Sequence, residues 1–182
     1  DANIVAVGLD SAEAGYPAHR HKEAFRRARE LGYYLTAHAG EAYGPVSIWD
    51  SLDEAGCGRI DHGVRAVEDP ELVNRLARDH IFLTVCPLSN LALKVFPDME
   101  HHSIKQLMDA GVPVSINSDD PPFFCGDLNE NYEAVVRTFR LAKPELHALA
   151  KSAFTNSYAP QTMVNGWIQE LDDYFSENDF IL

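Results

Sequence analysis

The sequence predicts an α/β fold in which parallel strands alternate with helices packed outside them. Three observations lead there. Short β-rich runs recur at intervals of about 24 to 32 residues, the size of one β/α unit. Helical patterns bounded by glycine or proline fill the gaps between them. Polar and ionisable residues collect at the C-terminal end of one run after another.

The strand candidates are residues 4–9, 33–37, 59–62, 81–85 and 112–117. Helix candidates lie between them. Residues 21–31 end at Gly32, residues 47–55 end at Gly56, and residues 103–110 end at Gly111, each glycine suiting a helix terminus. Residues 70–79 begin with Pro70, which fits a first helical turn. Residues 129–175 read as helix throughout, broken at Pro144 and Pro160. With no linker and no repeat beyond the β/α period, residues 1–182 are expected to form a single domain. Five such units suit either an open doubly wound sheet or part of an eight-stranded barrel. No GxGxxG or phosphate-binding loop opens any helix, which weakens the open-sheet nucleotide binder.

Composition narrows the class of partner. Hydrophobic residues make up 46% and charged residues 24%, as in soluble globular proteins. The net charge of -13 repels nucleic-acid backbone and anionic lipid. No apolar run is long enough to span a membrane and no basic-apolar leader is present, so a cytoplasmic location is expected. Cys57, Cys86 and Cys125 are far apart and form no CxxC pair, so they read as small buried hydrophobes rather than disulfides or zinc thiolates.

The polar strand ends carry the chemistry. The second run leads into His38-Ala39-Gly40-Glu41, the third ends in Asp61-His62-Gly63, the fourth in Cys86-Pro87-Leu88-Ser89-Asn90, and the fifth in Asn117-Ser118-Asp119-Asp120-Pro121. In a (β/α) barrel this is the active-site face. His38 offers an imidazole suited to zinc, and Glu41 a carboxylate for acid–base work beside a metal. Singly, an HxxE pair is more often a surface pair, and Asp-Asp-Pro-Pro is also turn chemistry. His62 has the setting of a positioned base, with Asp61 able to fix its tautomer and Gly63 allowing close approach. His19, His21, His80 and His147 fall in helical or loop surface segments, and His101-His102 in a loop. Two histidines and several carboxylates at successive strand ends of one parallel sheet describe a hydrolytic metal site.

In order, TAHAGE (36–41), RIDHGV (59–64), LTVCPLSN (83–90) and SINSDDP (115–121) resemble the motifs of the adenosine/adenine deaminase family of the amidohydrolase superfamily. The resemblance extends to about Ala159. It implies a (β/α)8 TIM-type barrel, of which these strands are the fourth to eighth. It implies zinc as cofactor, with His38 and Asp119 as ligands. Glu41 is then the acid that protonates purine N1, His62 orients and helps deprotonate the attacking water, and Asp120 contacts purine N7. The segment Gly8-Leu9-Asp10-Ser11-Ala12-Glu13 is similar to the GLDSxE signature of the adenine deaminase branch, whereas adenosine deaminases more usually carry a glycine where Ser11 stands. Gly8 and Ser11 are thereby expected at the substrate. The implied reaction is hydrolytic deamination of a 6-aminopurine, adenine to hypoxanthine and ammonia, in purine salvage. The alternatives are an adenosine deaminase and, from another class, a non-catalytic purine-binding fragment.

The family also uses a His-x-His pair at the end of its first strand. His19 and His21 match it only by spacing, because they precede a helix. The expectation is that three N-terminal β/α units with two further His ligands are missing, and that the 182 residues alone are inactive.

Overall fold

The computed structural model describes residues 4–124 and 126–178, so Cys125 lies outside the described residues. In chain order it runs β1 (Ala6–Leu9), α1 (Lys22–Glu30), β2 (Tyr34–Ala39), α2 (Pro45–Asp50), β3 (Arg59–His62), α3 (Pro70–Arg78), β4 (Phe82–Val85) and α4 (Pro87–Ala92). Then come α5 (Ile104–Asp109), β5 (Val114–Ile116), α6 (Pro121–Phe124), α7 (Leu128–Phe139), α8 (Lys143–Thr155) and α9 (Gln161–Glu177). All five expected strands are present. Two compact units divide the chain.

The first unit takes the chain up to Val85 together with His102–Pro113. Its strands β1 to β4 pair in parallel with neighbours in sequence order. Registers such as Gly8↔Thr36, His38↔Asp61 and Asp61↔Thr84 align one face of three strand pairs. Along β2, Leu35, Ala37 and Ala39 are buried while Thr36 and His38 are half-buried. That alternation is the period-two signature of a strand. Ile48, Ile60, Leu72, Leu76, Leu83, Ile104 and Leu107 are essentially fully buried. Burial of each such side chain stabilises the unit by about 1.5–3 kcal/mol. At the start of α3, Asp69 accepts from the Glu71 and Leu72 amides, and Pro70 fills the first turn.

The second unit takes Cys86–His101 and the chain from Val114 onward. Val135, Leu141, Leu149 and Val164 form its apolar interior. Buried Asn131 ties α7 to α4: its Oδ1 accepts from Leu88 N at 2.9 Å and its Nδ2 donates to Asp127 O at 2.8 Å. Asp127 and Glu130 close a capping box at the start of α7.

Three of the differences from the sequence reading stand out. Strand β2 continues two residues further than expected, so His38 lies within it rather than after it. The expected 47–55 helix is α2 followed by a π turn at Ser51–Ala55. The break assigned to Pro144 falls earlier, at Arg140, which closes α7 in a left-handed conformation (φ 50°). Pro144 instead sits in the first turn of α8, where its missing N–H leaves no bond unmade.

Candidate active site

In the first unit, β2 and β3 bring His38, Glu41 and His62 together. Thr36, His38, Asp61 and Thr84 share the half-buried face of the strands. Asp61 is held there by two hydroxyls, with Thr36 donating to Oδ2 and Thr84 to Oδ1, both at 2.8 Å. Strict alternation would send the next residue, His62, to the opposite, fully buried face beside its register partner Ala39. His62 escapes by adopting φ 65°. Its ring then meets His38 edge to face at 4.7 Å, and its Nδ1 lies 3.2 Å from Glu41 Oε1. The His62 side chain is 3% exposed and Glu41 12%, so the pair is shielded from bulk water. Asp61 was expected to fix the His62 tautomer. It faces His38 instead, at 3.8 Å from Nδ1, and Glu41 takes that place at His62.

Two glycines make the corner possible. Gly40 and Gly63 both adopt left-handed φ, and a Cβ on Gly40 would stand 3.3 Å from Gly63 Cα. The close approach lets Gly63 N donate to Ala39 O at 2.9 Å and Arg65 N to Gly40 O at 2.8 Å. The hydrogen-bond ladder of β2 and β3 thus runs on into the loops that carry Glu41 and follow His62.

Gly8 and Ser11 lie on and just after β1. Both are exposed, and a Cβ on Gly8 would stand 3.1 Å from Thr36 Cγ2, so glycine keeps that part of the face open. Ser11 adopts φ 75°, a conformation that favours glycine.

The sequence reading gave no role to Glu13, which is 8% exposed. Its Oε1 accepts from Glu41 N at 2.9 Å and Ala42 N at 3.4 Å; its Oε2 accepts from Gly40 N and Tyr43 N, each at 3.1 Å. The Ser47 hydroxyl joins them, accepting from Gly40 N at 2.7 Å and lying 3.2 Å from Glu13 Oε2. A carboxylate closing a strand-end motif was the available signal.

In the second unit, Asp119 adopts φ 57° and its Oδ2 accepts from the fully buried Ser89 hydroxyl at 2.7 Å. Asp120 directly precedes α6, and its carbonyl accepts from the Phe123 and Phe124 amides. The turn chemistry of Asp-Asp-Pro-Pro is therefore realised at Asp120.

Backbone strain separates these residues from the rest. Among the described residues, Ser11, His62, His80, Lys94, Asp119 and Arg140 are the non-glycines with left-handed φ. His80, Lys94 and Arg140 each close a helix, an ordinary use of that conformation. Ser11, His62 and Asp119 close none; each lies at or just beyond the C-terminal end of a strand. Strain of about 1–3 kcal/mol per residue collects at functional sites.

Several other histidines and Cys57 are engaged within the fold instead. His19 pairs with Asp50 at 2.7 Å ahead of α1, and His147 with Asp172 at 2.7 Å. Burial pushes the Cys57 thiol up to about 12, which makes it inert. Burial holds His102 down at about 4, and its Nδ1 accepts from Ile104 N at 3.1 Å. Among the described residues no helix is long and apolar enough to cross a membrane.

The adenosine deaminase family model matches residues 1–174. An adenine deaminase of Cupriavidus necator is 46% identical over 173 residues, covering 95% of this chain and 49% of that protein. The chain therefore spans about half the length of the curated relatives it matches. Among solved structures, adenine deaminase from Arthrobacter aurescens superposes with a TM-score of 0.92 at 35% identity, covering 95% of this chain and 53% of the other. An amidohydrolase from Burkholderia ambifaria, with bound Zn, gives a TM-score of 0.85 at 25% identity over 98% of this chain and 52% of the other. The α/β class, as part of a (β/α)8 barrel, agrees with these matches. Strand ends that gather strained, shielded histidine and carboxylate groups, and a family model spanning nearly every residue, lead to one assignment: the chain belongs to the adenosine deaminase family.

Proposed function

We propose that the full-length protein hydrolytically deaminates a 6-aminopurine, adenine, to hypoxanthine and ammonia, as a cytoplasmic enzyme of purine salvage. The observation that carries this reading is the shielded Glu41–His62 pair at 3.2 Å, within proton-transfer reach. The GLDSAE segment (8–13) and the adenine deaminase relatives favour the free base.

His38 and Asp119 fit a zinc ion by donor type, one imidazole and one carboxylate. His38 Nδ1 is buried without a hydrogen-bond partner, and the Asp61 carboxylate 3.8 Å away stands where it can orient a ligating imidazole. Ser89 supports Asp119 in the same way. Zinc there supplies Lewis-acid activation of water at neutral pH. The two further imidazoles that the resemblance implies belong in the half of the relatives' length that this chain does not span.

The chain's own groups divide the proton work. His62 takes a proton from the water that adds to C6. Glu41 delivers one to ring N1, so that negative charge does not build up on the ring. His62 then returns its proton to the amino group, which leaves as ammonia, while the C6 hydroxyl gives its proton to the Glu41 carboxylate and becomes the carbonyl, restoring both residues. Asp120 contacts N7, and the backbone at Gly8 and Ser11 borders the base.

The test follows loss of adenine absorbance together with ammonia release in the full-length protein, before and after chelation, with adenosine in parallel. Chelator-sensitive turnover of adenine alone is expected. Turnover of adenosine instead would keep the mechanism and discard the substrate. No turnover of either by zinc-loaded protein would overturn the proposal. The 182 residues alone are expected to turn over neither, because two ligands do not complete a tetrahedral site.

A further inference from the structure

Glu13 is a buried carboxylate surrounded by donors. Four consecutive amides, from Gly40 to Tyr43, converge on its two oxygens, and the shortest contact, at 2.9 Å, is the amide of Glu41. Its hydrogen bonds come from these N–H groups, and the Arg65 guanidinium acts on it through charge alone. A carboxylate accepting several amides orders those donors in turn. The link runs from the segment after β1 to the loop after β2, about thirty residues apart in sequence. Ser11, two residues before Glu13, adopts a left-handed conformation (φ 75°).

We propose that Glu13 is a positioning residue of the reaction: it fixes the backbone of residues 40–43 so that the Glu41 carboxyl is held against His62. This rests on the acid role assigned to Glu41 above. The Glu41 side chain springs from the backbone that Glu13 holds, and it stands 3.2 Å from His62 Nδ1. Displacement of a catalytic group by about 1 Å costs about 10²-fold in rate. A glutamine at position 13 has the same shape but must turn an NH2 toward amides that donate. Depending on which way it turns, either Glu41 N and Ala42 N or Tyr43 N is then left without an acceptor, Gly40 N keeping the Ser47 hydroxyl.

The test uses Glu13→Gln and Glu13→Asp in the full-length protein, with the parent's adenine turnover measured first. In Glu13→Gln, kcat falls about 10²-fold while KM changes by no more than about threefold, since the base itself is not touched. Amide hydrogen exchange at residues 40–43 rises at least about tenfold, while β3 and β4 keep the parent's protection. Glu13→Asp retains the acceptor charge on a shorter arm and gives an intermediate loss of kcat, which keeps the test open if the glutamine variant does not fold. Unchanged kcat in either folded variant overturns the proposal, whether or not the melting temperature falls. A rise in KM at constant kcat overturns it too, because Glu13 would then serve substrate binding. A parent that deaminates no 6-aminopurine removes the acid role of Glu41, and the catalytic half of the inference goes with it; exchange at residues 40–43 still decides whether Glu13 holds the loop.

Discussion

The C-terminal ends of the strands and the ends of the helices both carry polar residues, yet they satisfy them differently. At helix ends the partners are local. Asp69 and Asp127 cap amides two and three residues ahead, and His102 accepts from Ile104 N two residues on. At strand ends the partners come from other loops. Glu13 meets residues about thirty positions away, and Glu41 meets His62. Local satisfaction stabilises an element and needs nothing else; a constellation assembled from several loops holds groups at distances that chemistry requires. Strand-end substitutions should therefore act on rate, and helix-end substitutions on stability.

The largest effect is expected at Glu41. Glu41→Gln removes the ionisable oxygen beside His62 and keeps the shape, so kcat on adenine should fall about 10³-fold, within the range for a general acid. The melting temperature should stay near that of the parent. A fall in melting temperature that accounts for the lost turnover would break the distinction between the two regions.

At the helix end before α5 the expected effect is on stability, through pH. Burial lowers the His102 pKa from 6.5 to about 4, so between those values the unfolded chain binds more protons than the folded one. Stability is full above pH 6.5 and falls on acidification, by about 3 kcal/mol once pH reaches 4. Thermal melts of the full-length protein across this window should show the slope, and His102→Gln should flatten it. An equal slope in parent and variant would remove His102 as its source.

Both regions differ in how far the sequence exposes them. Helix ends were legible because their signals are short-range: Gly32 and Pro70 mark termini that the structure keeps to within two residues. The strands were legible by period, and the site residues by their recurrence at strand ends. Pairwise geometry was not. Nothing local says that His62 leaves the strand alternation, because its φ of 65° is fixed by the Gly40–Gly63 approach and by Glu41. For the same reason Asp61 looked like the partner of its neighbour His62, whereas the pleat turns it toward His38 across the register. Glu13 stayed without a role because its four donors lie about thirty residues downstream.

A smaller effect is expected at Asn131, which joins α7 to the start of α4. Asn131→Ala leaves the Leu88 amide without its acceptor in a buried setting, at a cost of about 2 kcal/mol. Urea titration of the full-length protein should show the loss, with kcat on adenine within about twofold of the parent after correction for unfolded protein. A larger loss of kcat would mean that a helix end also controls the chemistry.

The smallest effect is the sharpest comparison, because it places the same strain at the two kinds of end. Lys94 closes α4 at φ 59°, and Ser11 follows β1 at φ 75°. Glycine at either position relieves the left-handed penalty while loosening the unfolded chain, and the two contributions nearly cancel, leaving about 0.5 kcal/mol or less. Lys94→Gly should therefore change little in melting temperature and nothing in substrate choice. Ser11→Gly should be equally mild in stability, yet raise turnover of adenosine relative to adenine, because a glycine there opens the backbone toward the base. If both variants leave the ratio of the two substrates unchanged, substrate choice is made elsewhere on the strand ends.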